Sequence, residues 1–449
     1  MSNTINIRKG LDIRLLGDAT KEIKQLAVSK TVSLSPLDFH GLIPKLVVKE
    51  GEKVQVGDVI FYDKKNEKIK YVSPASGTVR EIVRGEKRKI LQVLIDSDGK
   101  QTCKKFKVSK VADTSREDLM SLLMESGLWP CFRQRPIDVV ADPTKEPKGI
   151  YVSSFDSSPL APDYEFILGD RMDQVQIGLK ALNVLCNGNV HLSNRESSQF
   201  AAMKEVNHHV FEGVHPAGNI GTQIHHIDPI NKGEFVWSIN IQDVAAIGKL
   251  FESGNVDGKK CIALTGSEVK SPCYYNIHSG SSVSDLVKNN VAGDNVRYIS
   301  GNVLTGDQKK LEGHIGFYHN QFTIIPEGNE YKFFLTTGWL GLGFDKFSNS
   351  RLFPTFLSKS KKFVLDTNTN GEERAFVVTG ELEKVFPFDI LPMHLTKAAI
   401  TNDIDGMENL GIYEVAPEDF ALCEYVCTTK INIQEKIRQG LDLIASECM

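Results

Sequence analysis

The chain has no CxxC pair, no long apolar run, no glycine-rich phosphate loop and no surplus of basic charge. Each absence removes a class of function. A bilayer-spanning helix needs roughly 18–20 consecutive apolar residues, so no membrane-embedded segment is expected. The first eleven residues mix polar and apolar side chains without the apolar h-region of a signal peptide. The expectation is a cytoplasmic protein that meets a membrane through a partner. Lys and Arg number 53 against 57 Asp and Glu, a net charge of −4. That balance leaves no overall electrostatic footprint for nucleic acid. The cysteines are Cys103, Cys131, Cys186, Cys261, Cys273, Cys423, Cys427 and Cys448, and none of their spacings is that of a zinc site. They read as free thiols, mostly buried. Cys423 and Cys427 would share a helix face at i,i+4, too few ligands by themselves for zinc or an iron–sulfur cluster. No metal ligand is assigned.

What is present is an ordinary globular composition, 41% apolar and 24% charged, spread over 449 residues. That length exceeds what one core supports. The patterning divides it into an N-terminal segment packing on the α/β domain (residues 1–31), a β unit (32–103), an α/β unit (104–255), a second β-rich unit (256–330), a connecting segment (331–380) and a helical unit (381–449).

In the first β unit, short alternating runs are bounded by glycines. Lys45-Leu46-Val47-Val48-Lys49 is a strand. Val54-Gln55-Val56-Gly57-Asp58-Val59-Ile60 suggests a hairpin with a two-residue turn at Gly57-Asp58. Ser73-Pro74-Ala75-Ser76-Gly77-Thr78-Val79 repeats the scheme. The unit resembles the barrel-sandwich fold of biotinyl and lipoyl carrier domains. Lipoyl domains modify a lysine in a D-K-A hairpin, and Asp63-Lys64-Lys65 stands here. Only Val59 to Tyr62 separate it from Gly57-Asp58, shorter than a carrier domain usually allows. Lys64, Lys65, Lys68 and Lys70 together read as a solvated hairpin tip.

In the α/β unit, Thr114-Ser115-Arg116-Glu117 reads as a capping box opening a helix that Gly127 closes. Short apolar strands are expected at residues 137–141, 149–153, 189–192 and 235–239. Asp170 can cap a helix carrying Val175, Leu179, Leu182 and Leu185, and a later helix ends at Gly254. Strands alternating with helices mean a mostly parallel sheet. Such sheets often bind a nucleotide through a G-x-G-x-x-G turn. None occurs. In its place stand Trp129, Pro130, Phe132 and Pro136, whose bulk hinders close approach of a phosphate to the backbone. The domain reads as a degenerate Rossmann-like fold.

The second β-rich unit carries Thr265-Gly266-Ser267-Glu268-Val269 and Ser271-Pro272, which look like a soluble-ligand-binding β-grasp (SLBB-like) domain. Fold analogy does not carry function, and a packing module is the expectation. In the last unit, residues 418–426 can form one helix, and Ile433, Ile437, Leu441 and Ile444 mark the apolar face of another.

Five stretches carry a more specific likeness. They are Ser73-Pro74-Ala75-Ser76-Gly77 with Arg84-Gly85-Glu86-Lys87-Arg88; residues 129–136; Phe155-Asp156-Ser157-Ser158-Pro159-Leu160-Ala161-Pro162-Asp163; His215-Pro216-Ala217-Gly218-Asn219-Ile220-Gly221-Thr222; and Ile299-Ser300-Gly301-Asn302-Val303-Leu304. In content and order they resemble the A subunit of the sodium-pumping NADH:quinone oxidoreductase. That family is similar to the NADH- and flavin-binding subunit of respiratory complex I and to the C subunit of the Rnf complex. Those relatives have a glycine-rich flavin loop and an E-x-E-P stretch, replaced here by residues 129–136 and 155–163. They also hold cysteine ligands for iron–sulfur clusters where this chain has only Cys423 and Cys427.

The resemblance implies a multi-domain α/β and α+β protein on the cytoplasmic face of a bacterial inner membrane. It would belong to a complex that oxidises NADH, reduces quinone and drives Na+ outward, attached chiefly through a membrane-embedded flavoprotein subunit. No cofactor is expected on this chain. Flavins and the iron–sulfur centre would belong to partner subunits. A purely structural adaptor remains open beside this reading. A stand-alone NADH dehydrogenase is disfavoured by the missing glycine cradle.

Five of the 11 histidines, His208, His209, His215, His225 and His226, fall close together without an H-E-x-x-H. They suggest hydrogen bonding in a loop beside the abandoned flavin cleft. Imidazole and Arg133 or Arg135 could hold a quinone carbonyl oxygen while Trp129 or Phe132 stacks on the ring. The alternative is a structural loop built on Pro216, Gly218 and Gly221. Between residues 331 and 356, Trp339, Leu340, Leu342, Phe344 and Phe347 alternate with Gly338, Gly341 and Gly343. Exposed, such a stretch forms an apolar patch, and Trp339 and Phe344 become docking residues for a membrane-embedded partner. Wrapping of the chain's own core is the other reading. No nucleophile–base pair stands at an informative spacing, so no catalytic residue is assigned.

Overall fold

The computed structural model describes residues 4–330, 340, 342–349, 353, 357–358 and 360–449. Trp339 and most of the connecting segment around it lie outside the described residues.

A seven-stranded sheet forms the centre. Its order is Ile5–Ile7, Asn207–Gly213, Val190–Asn194, Ile150–Ser153, Val236–Asn240, Arg133–Arg135 and Val139–Val140. The first five strands run parallel, and the last two form an antiparallel edge. Ile150, Tyr151, Val152, Val236, Trp237 and Ile239 are all buried, as strands covered on both faces must be. The helices Met172–Leu185 and Ile241–Ser253 pack against each other. Their close approach needs two glycines. A Cβ on Gly178 would fall 2.1 Å from the Val244 carbonyl oxygen, and one on Gly248 would fall 1.9 Å from that of Gln174.

Local capping shifts several expected boundaries. The helix Arg116–Glu125 starts one residue later than the capping-box pattern suggests. Ser115, not Thr114, accepts the Asp118 N–H. Its end follows the reading. Gly127 takes φ +74°, and the Leu128 N–H reaches the Leu123 carbonyl, the long bond of a Schellman turn. Asp170 does not cap the next helix. Arg171 occupies that position, and its side chain makes no capping bond.

The barrel-sandwich unit consists of a four-stranded sheet (Thr31–Leu34, Ile90–Ser97, Gly77–Arg84, Lys53–Val54) facing a three-stranded one (Pro44–Leu46, Val59–Asp63, Lys70–Val72). Val32, Val79, Val93, Ile60, Phe61 and Tyr71 fill the space between. Gly57-Asp58 does not turn a hairpin. The strands on either side of it belong to different sheets, so it is the corner where the chain crosses between layers.

The β-grasp unit is a six-stranded sheet in the order Asp307–Lys309, Val296–Ser300, Gln321–Pro326, Lys259–Thr265, Cys273–His278 and Thr20–Gln25. The N-terminal segment is therefore divided. Ile5–Ile7 joins the central sheet, and Thr20–Gln25 extends the β-grasp sheet. The C-terminal unit holds the helices Pro392–Thr401, Ile404–Asn409, Ala421–Val426 and Ile433–Glu447. Ile433, Ile437, Leu441 and Ile444 are fully buried, as are the thiols of Cys423 and Cys427 nearby.

Candidate functional site

At the carboxyl ends of the parallel strands Ile150–Ser153 and Val236–Asn240 lies a cavity of about 210 Å3. Open α/β sheets place ligands at this position. Four of the five stretches that carry the family likeness converge on it. Residues 129–136 supply Arg133, residues 155–163 supply Asp156 and Ser158, residues 215–222 supply His215 and Gly218, and residues 299–304 supply Asn302 and Leu304. The strand end supplies Asn240, the first turn of the helix after it supplies Asp243, the β-grasp unit supplies Tyr318, and the C-terminal unit supplies Glu418. The stretch at Ser73-Gly77 contributes nothing to this cavity.

Two of the expected quinone-contacting residues line the cavity. The Arg133 guanidinium pairs with Asp138 and lies 5.0 Å from the centre of the Tyr318 ring. Burial opposes its charge, but Asp138 and Tyr318 outweigh that and keep its pKa above the usual arginine value. His215 is buried, with Nδ1 3.0 Å from the Ser157 hydroxyl. Burial lowers its pKa to about 4, so the ring is neutral at pH 7.

The other candidates are placed elsewhere. Trp129 and Phe132 are 0% exposed, packed against each other and against Trp237, and the Trp129 indole N–H donates to the Ala141 carbonyl. Rings enclosed in this way have no free face for a ligand, so the stacking role does not fit them. Arg135 is also buried. Its fork is committed to Asp419 at 2.5 Å and Glu418 at 2.7 Å, and it does not line the cavity.

The histidines do not share a loop. His208 and His209 stand on the strand Asn207–Gly213, and His225 and His226 on the helix Ile220–Ile227. His208 bonds Asn194 and the Met203 carbonyl, and His209 bonds His191. His225 bridges Glu414 and the Asp389 N–H, and His226 meets the Thr222 carbonyl. Among the described residues no group of three or more His, Cys, Asp or Glu could hold a metal ion.

Ser157 and His215 form a nucleophile–base pair that sequence spacing could not reveal, since 58 residues separate them. It is poorly made for catalysis. Among the described residues no carboxylate bonds the other ring nitrogen, and a pKa of about 4 makes the imidazole a weak base at neutral pH.

The carboxyl groups decide what the cavity accepts. Asp138, Asp156, Asp243 and Glu418 line it against the single guanidinium of Arg133. Burial raises the pKa of Asp156 and Asp243, which shifts them toward the neutral acid; it raises that of Glu418 too, against the opposing pull of the Arg135 charge. A phosphate would meet these carboxyl groups, with Arg133 the one guanidinium among them, and no glycine-rich cradle. A flavin mononucleotide therefore does not fit these residues.

Comparison with known proteins places the chain in a family. Residues 5–98 match the NqrA N-terminal barrel-sandwich hybrid domain, residues 114–256 the NqrA second alpha/beta domain, and residues 261–310 the NQRA C-terminal domain. The chain is 38% identical to the A subunit of the Na(+)-translocating NADH-quinone reductase of Marinomonas sp. (strain MWYL1), covering 98% of this chain and 99% of that one. The protein of the same name from Rhodopirellula baltica is also 38% identical, over 98% of each chain. That from Pseudomonas aeruginosa strain PAO1 is 36% identical, over 99% of this chain and 100% of its own. Among solved structures, an NAD+-reducing [NiFe]-hydrogenase in the H2-reduced state is similar at 11% identity and a TM-score of 0.35. It covers 68% of this chain and 55% of the other, a likeness too slight to build on. The full-length identity and the three domain matches make this chain a member of the NqrA family, the A subunits of the Na+-translocating NADH:quinone reductases.

Proposed function

We propose that this chain is the peripheral A subunit of a complex that oxidises NADH, reduces quinone and translocates Na+, held on the cytoplasmic face of the inner membrane chiefly by a membrane-embedded flavoprotein subunit. Flavins and the iron–sulfur centre belong to the partner subunits. This chain offers the quinone ring a hydrogen-bonding pocket. The observation that carries the pocket is the convergence of Arg133 and His215 on one cavity whose buried Asp156 and Asp243 lean toward the neutral form.

The hydrogen bonding around His215 supports this reading. Ser157 Oγ accepts the Gly218 N–H at 2.8 Å, and in one of the two neutral tautomers of His215 it donates its own proton to Nδ1. The proton of the neutral imidazole then sits on Nε2, ready to donate to a carbonyl oxygen. Arg133 is a second donor. Tyr318, against which Arg133 lies, supplies an aromatic wall. Quinone reduction places negative charge on the ring oxygens, and donors aimed at such oxygens stabilise that charge.

The apolar patch supports docking. Phe344 is 60% exposed and Leu342 75% exposed, more apolar surface than an isolated chain needs. Trp339 stands in the same segment, outside the described residues.

A photoreactive quinone applied to the native complex tests the pocket. Label on the peptides bearing Arg133 or His215, reduced by Arg133→Ala and by His215→Ala, is expected. Label confined to other subunits would leave this chain the role of a structural adaptor.

A further inference from the structure

We infer that the outer face of the three-stranded sheet in the barrel-sandwich unit rests directly on an anionic lipid surface. This goes beyond attachment through a partner and does not depend on the quinone pocket.

Strand alternation creates the face. Phe61 and Tyr71 point inward and are buried, and Tyr62 and Lys70 beside them point outward, while Ile60 is turned inward too at an irregularity in the strand pairing. Lys45 pairs with Tyr62, and Tyr62 with Lys70, placing the three side chains in one row across the strands. Both ammonium groups lie over the Tyr62 ring, at 5.2 Å and 4.9 Å from its centre. Beside Lys45, in phase with it, stand Ile43 and Val47, 46% and 52% exposed. The adjoining turn presents Lys64, Lys65 and Lys68 to solvent, and the Lys64 N–H donates to the Ile43 carbonyl, so the tip lies next to the apolar pair.

Charge singles out the occupant. Residues 43–47 and 59–72 hold five lysines against Asp63 and Glu67, in a chain whose net charge is −4. The Asp63 carboxylate already accepts the Lys65 N–H within the turn. Glu67 Oε1 stands 3.7 Å from Lys45 Nζ, and the Lys70 ammonium donates to the Glu67 carbonyl, so one carboxylate offsets part of the charge in the row and leaves a net positive face for an anion to approach. Lysines alone would suit any acidic surface. Branched apolar residues and a tyrosine among them suit the boundary of a bilayer, where lysine stems and aromatic rings lie at headgroup level while the charges meet lipid phosphates. The face thus matches a membrane rich in anionic lipid.

Flotation of the purified full-length chain with lipid vesicles tests this. Co-flotation is expected with vesicles of phosphatidylcholine containing phosphatidylglycerol, and not with phosphatidylcholine alone. High salt should release the chain, because screening shortens the reach of surface charge. The triple variant Lys64→Glu, Lys65→Glu, Lys68→Glu should lower the bound fraction at least tenfold, with its circular dichroism unchanged. Ile43→Ser with Val47→Ser should weaken binding less. Reversal of Lys104, Lys105 and Lys107, a separate basic stretch, should leave it intact. Absence of flotation with anionic vesicles would overturn the inference. So would equal binding to neutral vesicles, or loss of binding through the Lys104 set in place of the Lys64 set.

Discussion

Arg135 Nη1 and Asp419 Oδ2 meet at 2.5 Å with both side chains out of solvent, joining the next-to-last strand of the central sheet to the C-terminal helical unit. Glu418 at 2.7 Å and the Glu414 carbonyl at 3.2 Å complete the guanidinium's partners. Asp419 also accepts the Ala416 N–H at 2.8 Å. Burial works against the arginine's charge, and the carboxylates of Asp419 and Glu418 more than compensate, so its pKa lies above the usual value. Removing one member of a buried pair strands the other. Asp419→Asn should therefore cost about 3–5 kcal/mol in unfolding free energy, measured by urea titration. Gly221 lies against this pair, and a Cβ there would fall 2.2 Å from Asp419 Oδ1 and 2.5 Å from Arg135 Nη1. Gly221→Ala should reproduce part of the loss. Combined with Asp419→Asn it should add less than its own single effect, because both changes act on one contact.

Acid should loosen the fold through His215. Above pH 6.5 its ring is neutral in both the folded and unfolded chain and adds no pH dependence. As pH falls, the unfolded ring takes up a proton first, because burial holds the folded one to about 4. Stability is thus lost between roughly pH 6.5 and 4 and levels off below, by up to about 3 kcal/mol. His191, lowered to about 4 by burial and by His209, acts in the same direction. Melting temperatures across this window should fall for the native chain and fall less for His215→Asn. Equal slopes for the two would show that His215 does not titrate in this way.

Thiol accessibility gives a test that needs no partner. Cys448 is exposed and Cys103 half-buried, while the other six cysteines are buried. Burial also raises the Cys103 pKa, which keeps less of it as the reactive thiolate. One fast-reacting thiol is expected with a colorimetric disulfide reagent, rising to eight in denaturant, and Cys448→Ser should remove the fast phase.

Docking is tested by assembly. Leu342→Ser with Phe344→Ser should sharply reduce recovery of the membrane flavoprotein subunits on a tagged chain from solubilised membranes, without changing the chain's melting temperature. Trp339→Ser should act in the same direction. Undiminished co-purification would show that the apolar segment serves another purpose.

Much of the fold is legible where local chemistry decides it. Gly127 and Gly254 end their helices because a left-handed residue is needed there. The periodicity at Ile433, Ile437, Leu441 and Ile444 survives because one face alone meets the core. Legibility fails where a distant element decides. Gly57-Asp58 looks like a hairpin turn until the two sheets on either side of it are seen. Trp129 looks like a stacking platform until Trp237 covers it. Arg133 and Arg135 lie on one short strand, and only the position of the C-terminal unit settles which of them stays by the cavity. Asp156, Asp243 and Tyr318 carried no chemical signal, because 162 residues of chain separate the first from the last and only tertiary folding unites them.

The divided N-terminal segment sets a timetable for biosynthesis. Ile5–Ile7 pairs with residues 211–213, and Thr20–Gln25 with residues 273–276. At about 5–20 residues per second the first strand leaves the ribosome on the order of ten seconds or more before its neighbour exists. The earliest part of the chain is thus among the last to settle, and its apolar residues wait in the open until the central sheet is ready to take them.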